Sequence, residues 1–161
     1  MLRDYATIWK HEPTPRKDPL NSFYAASLTQ ALAAHLVSAS HVTALVLSDN
    51  AMSDSMLDDS NLVTALRAHG GLELLDLSGN RLRSLSGIER PVTEGRNDKA
   101  APIKTLILND NRLSSEGPIC FIQTLKFNLN LKSLSFRNCN LSESATSLLG
   151  PMLEVRDSQL D

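Results

Sequence analysis

LELLDLSGNRL, residues 72–82, decides the fold. Its leucines at 72, 75, 77 and 82 follow neither the period of two of a strand nor the 3.6 of a helix over the whole stretch. Leu75 and Leu77 are two apart, so they fall on one side of a short strand. Leu72 and Leu82 lie beyond its ends, where the chain bends inward, and all four converge on one core. Asn80 stands where the strand ends and the backbone turns. An amide that both donates and accepts can satisfy backbone groups that the turn strips of partners.

Three further segments repeat this arrangement: VTALVLSDNAM from Val42, IKTLILNDNRL from Ile103 and LKSLSFRNCNL from Leu131. All four fit apolar-x-x-Leu-x-[Leu/Phe]-x-x-[Asn/Cys]-x-apolar, with starts 28 to 31 residues apart. A motif that returns with a held period is a far stronger signal than a single match. The inward set is then Leu45, Leu47 and Asn50; Leu75, Leu77 and Asn80; Leu106, Leu108 and Asn111; and Leu134, Phe136 and Cys139. In the fourth unit Cys139 replaces asparagine as a small hydrophobe with a weak donor.

Between the strand units an apolar i,i+4 pair recurs at a fixed distance before the next unit: Leu32 with Leu36, Leu62 with Leu66, and Phe121 with Leu125. Such a pair marks one face of a helix. Helices are expected over 22–38, 57–69 and 114–127, with Gly70 and Gly71 as a stop before the second strand. The equivalent positions before Ile103 are Thr93 and Asn97, both polar. That unit is expected to hold only a helical turn near 82–89, then a charged surface loop over 91–102 in which Arg96 and Asn97 are candidate rim residues. Long polar loops cost little extra closure entropy and are common without a role, so this loop reads first as a tolerated insertion.

The four units resemble the leucine-rich repeat family, and their length resembles its ribonuclease-inhibitor-like branch. The resemblance implies an α/β solenoid with about four parallel strands on the concave face and helices on the convex face. Residues 1–21 read as an N-terminal extension. Residues 22–161 read as the repeat domain, with a capping helix at 22–38 and repeats starting near 42, 72, 103 and 131. In the extension, Leu2, Tyr5, Ile8 and Trp9 are spaced to line one face of a short helix. After the last unit a helix is expected over 143–155, carrying Leu149 and Leu153. The edge of strand 133–136 is left open, so the reading expects a larger parent, or self-association or continuation through that edge.

Composition limits what such a fold does here. The chain has 161 residues, 42% hydrophobic, with net charge −2 and only 4% aromatics. There is no positive field to gather phosphates and little base-stacking surface, so no nucleic-acid partner is expected. No apolar run reaches the ~18 residues of a membrane span, and no signal-peptide pattern opens the chain, so a cytoplasmic protein is expected. Cys120 and Cys139 are too few for a disulfide framework or zinc site and read as two buried thiols. His11, His35, His41 and His69 are scattered, with no catalytic or metal spacing. Neither an enzyme nor a bound cofactor or metal is expected.

The strand positions that alternate with the inward leucines form columns: Ala44, Leu74, Thr105, Ser133; Val46, Asp76, Ile107, Ser135; and Ser48, Ser78, Asn109, Arg137. Val46, Leu74 and Ile107 are apolar where water is expected, which suggests a contact patch flanked by Asp76 and Arg137, with Asn109 and Ser135 beside it. The competing reading is that Val and Ile suit strands anywhere. The function that follows is protein–protein recognition by a scaffold or adaptor, with a cytoskeletal or ciliary assembly as the setting. The alternatives are an enzyme regulator, such as an inhibitor or GTPase activator, and the sensor region of an innate-immune-type receptor. Fold does not choose the partner.

Overall fold

The computed structural model describes residues 5–7, 19–58, 60–93, 103–114, 117–125 and 130–149. The four expected strands are present as β2 (Ala44–Val46), β3 (Leu74–Asp76), β4 (Thr105–Ile107) and β5 (Ser133–Ser135). A fifth, β1 (Tyr5–Thr7), adds to the N-terminal edge. The sheet is parallel throughout, in the order β1-β2-β3-β4-β5. Helices α1 (Pro19–Ser38), α2 (Asp54–Leu57), α3 (Ser60–Ala68), α4 (Ser86–Thr93) and α5 (Gly117–Leu125) connect the strands. α1 packs on α3, α3 on α4 and α4 on α5, and residues 143–149 are helical after β5.

The core lies between sheet and helices. Leu45, Leu75 and Leu106 are fully buried from the strands, and the predicted helical pairs Leu32/Leu36, Leu62/Leu66 and Phe121/Leu125 close over them. Each strand is only three residues long, too short to be stable as an isolated pair. Its stability comes from stacking the same apolar layer on the layer before it.

The turn after each strand explains the asparagines. Asp49, Gly79, Asp110 and Asn138 occupy equivalent positions with φ of 59°, 63°, 56° and 53°. This left-handed region costs most side chains about 1–2 kcal/mol, and Gly, Asn and Asp tolerate it best. At Gly79 a Cβ would also run into the Asp49 carboxylate of the preceding turn. One residue on, Asn80 is buried and its Oδ1 accepts from the backbone N–H of Asn50 (3.1 Å) and Met52 (2.9 Å). Its Nδ2 donates to the carbonyls of Leu47 (2.9 Å), Leu77 (2.8 Å) and Ser78 (3.1 Å). Asn111 repeats this one unit later, accepting from Leu82 N–H (3.1 Å) and donating to the carbonyls of Leu77 and Leu108 (2.9 Å each). The side chain therefore holds its own turn and also bolts it to the preceding repeat.

Cys139 continues this ladder incompletely. Its Sγ donates to the Leu108 carbonyl at 3.0 Å, but among the described residues no bond from Leu113 N–H answers the one that Leu82 N–H makes to Asn111. Burial pushes the thiol above its ordinary value, the Asn111 backbone N–H offsets part of this, and the negative charge of Asp110 adds to it. The thiol therefore stays protonated and unreactive at neutral pH. Cys139→Asn should restore the missing acceptor and raise unfolding stability by about 1 kcal/mol in urea titration. A loss of stability would mean that the sulfur's packing outweighs the bond.

Several expectations are corrected. Tyr5 belongs to a strand, not to a helix face; Leu2, Ile8 and Trp9 lie outside the described residues, as does Leu153. Residues 5–7 thus contribute to the sheet, because the β2 edge accepts a strand that Tyr and Thr suit. The helix expected over 57–69 is present as α3, and a separate short helix, α2, precedes it. α4 runs to Thr93, so residues 91–93 are helical rather than loop, and Pro91 lies within the helix. Its buried pair is Ile88 and Val92. The expected pair failed because it was measured back from the following strand, whereas this helix starts soon after the preceding turn. Cys120 is exposed, not buried, because it lies on the outer side of α5.

Candidate partner-binding face

Strand pairing sets the open face. The register aligns Ala44, Leu74, Thr105 and Ser133 in one column and Val46, Asp76, Ile107 and Ser135 in the next. These residues alternate with the buried Leu45, Leu75, Leu106 and the half-buried Leu134, so they face away from the core. Val46, Leu74 and Ile107 are each half-buried on that face. They do not form one unbroken strip. Val46 and Ile107 flank Asp76 within a column, and Leu74 stands in the next column between Ala44 and Thr105.

The polar members differ in how far they are committed to the fold. Asp76 is half-buried, and its Oδ1 accepts from the Ser78 backbone N–H (2.9 Å) and hydroxyl (2.6 Å). Its second oxygen has no partner among the described residues, so a carboxylate oxygen between two apolar side chains is open to an outside donor. Asn109 is occupied: its Oδ1 accepts from the Ser135 hydroxyl (2.6 Å) and the Arg137 backbone N–H (2.8 Å). Ser135 is thereby also tied down, and both act first as a brace between the third and fourth turns. Arg137 is exposed, with no ion-pair partner among the described residues. Arg96 and Asn97 lie outside the described residues.

Other polar groups belong to the scaffold. Glu73 and Lys104 pair across adjacent repeats at 2.5 Å, each about half exposed, an arrangement worth little in water. Asp54 Oδ1 accepts from the backbone N–H of Arg83 (2.9 Å) and Ser84 (3.0 Å), a link between repeats that no sequence motif announces. Buried His69 places Nε2 3.0 Å from the Ala39 carbonyl. A carbonyl only accepts, so Nε2 carries the proton and ties the end of α3 to the end of α1. Among the described residues, no three His, Cys, Asp or Glu side chains converge as a metal site. No described helix is long and apolar enough to cross a membrane. What this arrangement supplies is a rigid sheet with side chains on display.

Residues 71–91 and 130–152 match the family described as Leucine Rich Repeat. No curated protein matches the chain by sequence. Among solved structures, Leiomodin-1 Actin-Binding Site 2 (ABS2) is similar over 83% of this chain and 76% of that chain, with a TM-score of 0.55 and 15% sequence identity. At that identity the likeness is one of fold. The chain is a leucine-rich-repeat α/β solenoid, and its second and fourth strand-and-turn units carry the sequence signature of that repeat family.

Proposed function

We propose that the chain is a non-enzymatic protein-binding module whose partner docks on the open face of the sheet. The observation that carries this reading is the pair Val46 and Ile107 around Asp76, with Leu74 beside them. Three partly accessible aliphatic groups surround a carboxylate oxygen that the fold does not use. A partner with an apolar contact and a cationic or N–H donor at its centre fits this pattern, because a donor reaching Asp76 would be desolvated by its neighbours. Arg137 stands at the far end of the sheet and offers a second, opposite charge. A helix after each of β2, β3 and β4 supports placing these repeats in the ribonuclease-inhibitor-like branch.

A cytoskeletal partner is the first class to test, since the similarly folded Leiomodin-1 domain is an actin-binding site. The combined substitutions Val46→Thr, Leu74→Gln and Ile107→Thr should leave the thermal transition within a few degrees. Co-sedimentation of the chain with actin filaments should weaken at least about tenfold in the triple variant, roughly 1.4 kcal/mol. Unchanged binding by a folded variant would move the contact off this face. No sedimentation of the unmodified chain would remove the actin reading and leave partner identity to cross-linking in the source cell.

A further inference from the structure

The last repeat presents a set of unmet groups whose complement occurs three times within the chain itself. In each earlier unit, the N–H of the second inward strand residue donates to the next repeat: Leu47 to Asp76 O (2.8 Å), Leu77 to Ile107 O (2.8 Å) and Leu108 to Ser135 O (2.9 Å). Its carbonyl accepts from the next repeat's turn residue: Leu47 O from Asn80, Leu77 O from Asn111 and Leu108 O from Cys139. The left-handed turn residue donates likewise, Asp49 to Ser78 O, Gly79 to Asn109 O and Asp110 to Arg137 O.

In the fourth unit these roles fall to the N–H and carbonyl of Phe136 and the N–H of Asn138. None has a partner among the described residues. The alternation of a parallel ladder points the Leu134 and Phe136 peptide groups away from β4. The apolar layer is unfinished in the same direction. Leu134 and Phe136 are only partly buried, whereas the equivalent Leu75, Leu77, Leu106 and Leu108 are at most 1% exposed. Leu141, Leu148 and Leu149 are partly buried beside them. Edge groups and apolar side chains thus ask for one kind of neighbour, and β3 on β2, β4 on β3 and β5 on β4 show what it is.

We infer that the β5 edge is a docking site for an extended segment of a partner chain with the pattern Leu-x-Leu-x-x-Asn, added as a sixth parallel strand. The residue between the two leucines would give its carbonyl to Phe136 N–H and its own N–H to Leu134 O. The asparagine would donate to Phe136 O and accept from Leu141 N–H, as Asn80 does with Leu47 and Met52. Backbone pairing would supply affinity and the alternating leucines selectivity, the usual division in strand addition. This site is separate from the open face and does not depend on it.

The probe is a fluorescein-labelled synthetic peptide of sequence LELLDLSGNRL, titrated with the full chain and read by fluorescence anisotropy. Saturable binding is expected, with a scrambled peptide silent. N-methylation of the peptide's central Asp amide removes the donor to Leu134 O and should abolish binding. N-methylation of the leucine before that Asp, whose N–H points to the far side, should be tolerated. Replacing the peptide's Asn by Ala should weaken binding about tenfold. Absence of saturable binding, or equal loss from both N-methylated peptides, would overturn the assignment. An edge already filled by residues beyond 149 or by a second copy leaves the peptide unbound and overturns it too; sedimentation velocity then tells these two occupants apart. Since only the peptide is altered, no result depends on a variant chain folding.

Discussion

Leu77→Ala should lower unfolding stability by about 2–5 kcal/mol. Leu77 is 1% exposed, in the continuous core between sheet and helices. Truncation removes apolar area and leaves a cavity, which the surrounding core can collapse into only in part, because the repeats on either side fix its walls. The backbone at this position is also committed, with its N–H donated to Ile107 and its carbonyl shared by Asn80 and Asn111. For a chain of this size the midpoint should fall by about 4–20 °C. Urea titration checks the value, and a loss below about 1 kcal/mol would contradict the inward placement.

Asn80→Ala should cost about 3–5 kcal/mol, more than a single side-chain hydrogen bond. The N–H groups of Asn50 and Met52 and the carbonyl of Leu47 would lose this partner, while the Leu77 carbonyl keeps Asn111, and each buried orphan carries a penalty of about 1–3 kcal/mol. The sum falls short of three full penalties because water can reach part of the turn. Asn80→Asp separates bonding from size. It keeps the acceptor for Asn50 and Met52, but turns an acceptor toward the Leu47 and Leu77 carbonyls. It should therefore be no more stable than Asn80→Ala at neutral pH. An Asp variant close to the unmodified chain would mean that the donor side of the amide matters little.

The parts legible in the sequence are those that repeat. Leu75 with Leu77 gave strand and facing, and the 28-to-31-residue spacing gave the stack. The pairs Leu32/Leu36, Leu62/Leu66 and Phe121/Leu125 placed three helices, because a buried helical face must recur every turn. The left-handed residues Asp49, Gly79, Asp110 and Asn138 stand directly before the Asn or Cys of each turn, but their conformation emerged only from the structure. The helix of the third unit was misread from Thr93 and Asn97, since its buried pair Ile88 and Val92 is counted from the preceding turn. β1 escaped notice because three residues, Tyr5 to Thr7, carry no period of their own.

The candidate face divides in the same way. Its columns followed from alternation along the strands, so Val46, Leu74, Asp76 and Ile107 could be named in advance. Their availability could not. Asn109, read as a surface contact, also braces Ser135 and Arg137, while Asp76 uses one oxygen on Ser78 and the other has no partner among the described residues. Such bonds join residues two apart or 26 to 28 apart, and only the second kind needs the stack to exist.

By itself the sequence determined the repeat, the inward leucines and the asparagine turns, because each obeys a local period that any single unit displays. Only the tertiary structure decided which polar groups lack partners among the described residues, at the open face and at β5, and that α4 begins soon after its turn. These depend on contacts between units, and a hydrogen bond to the next repeat is invisible until that repeat is in place.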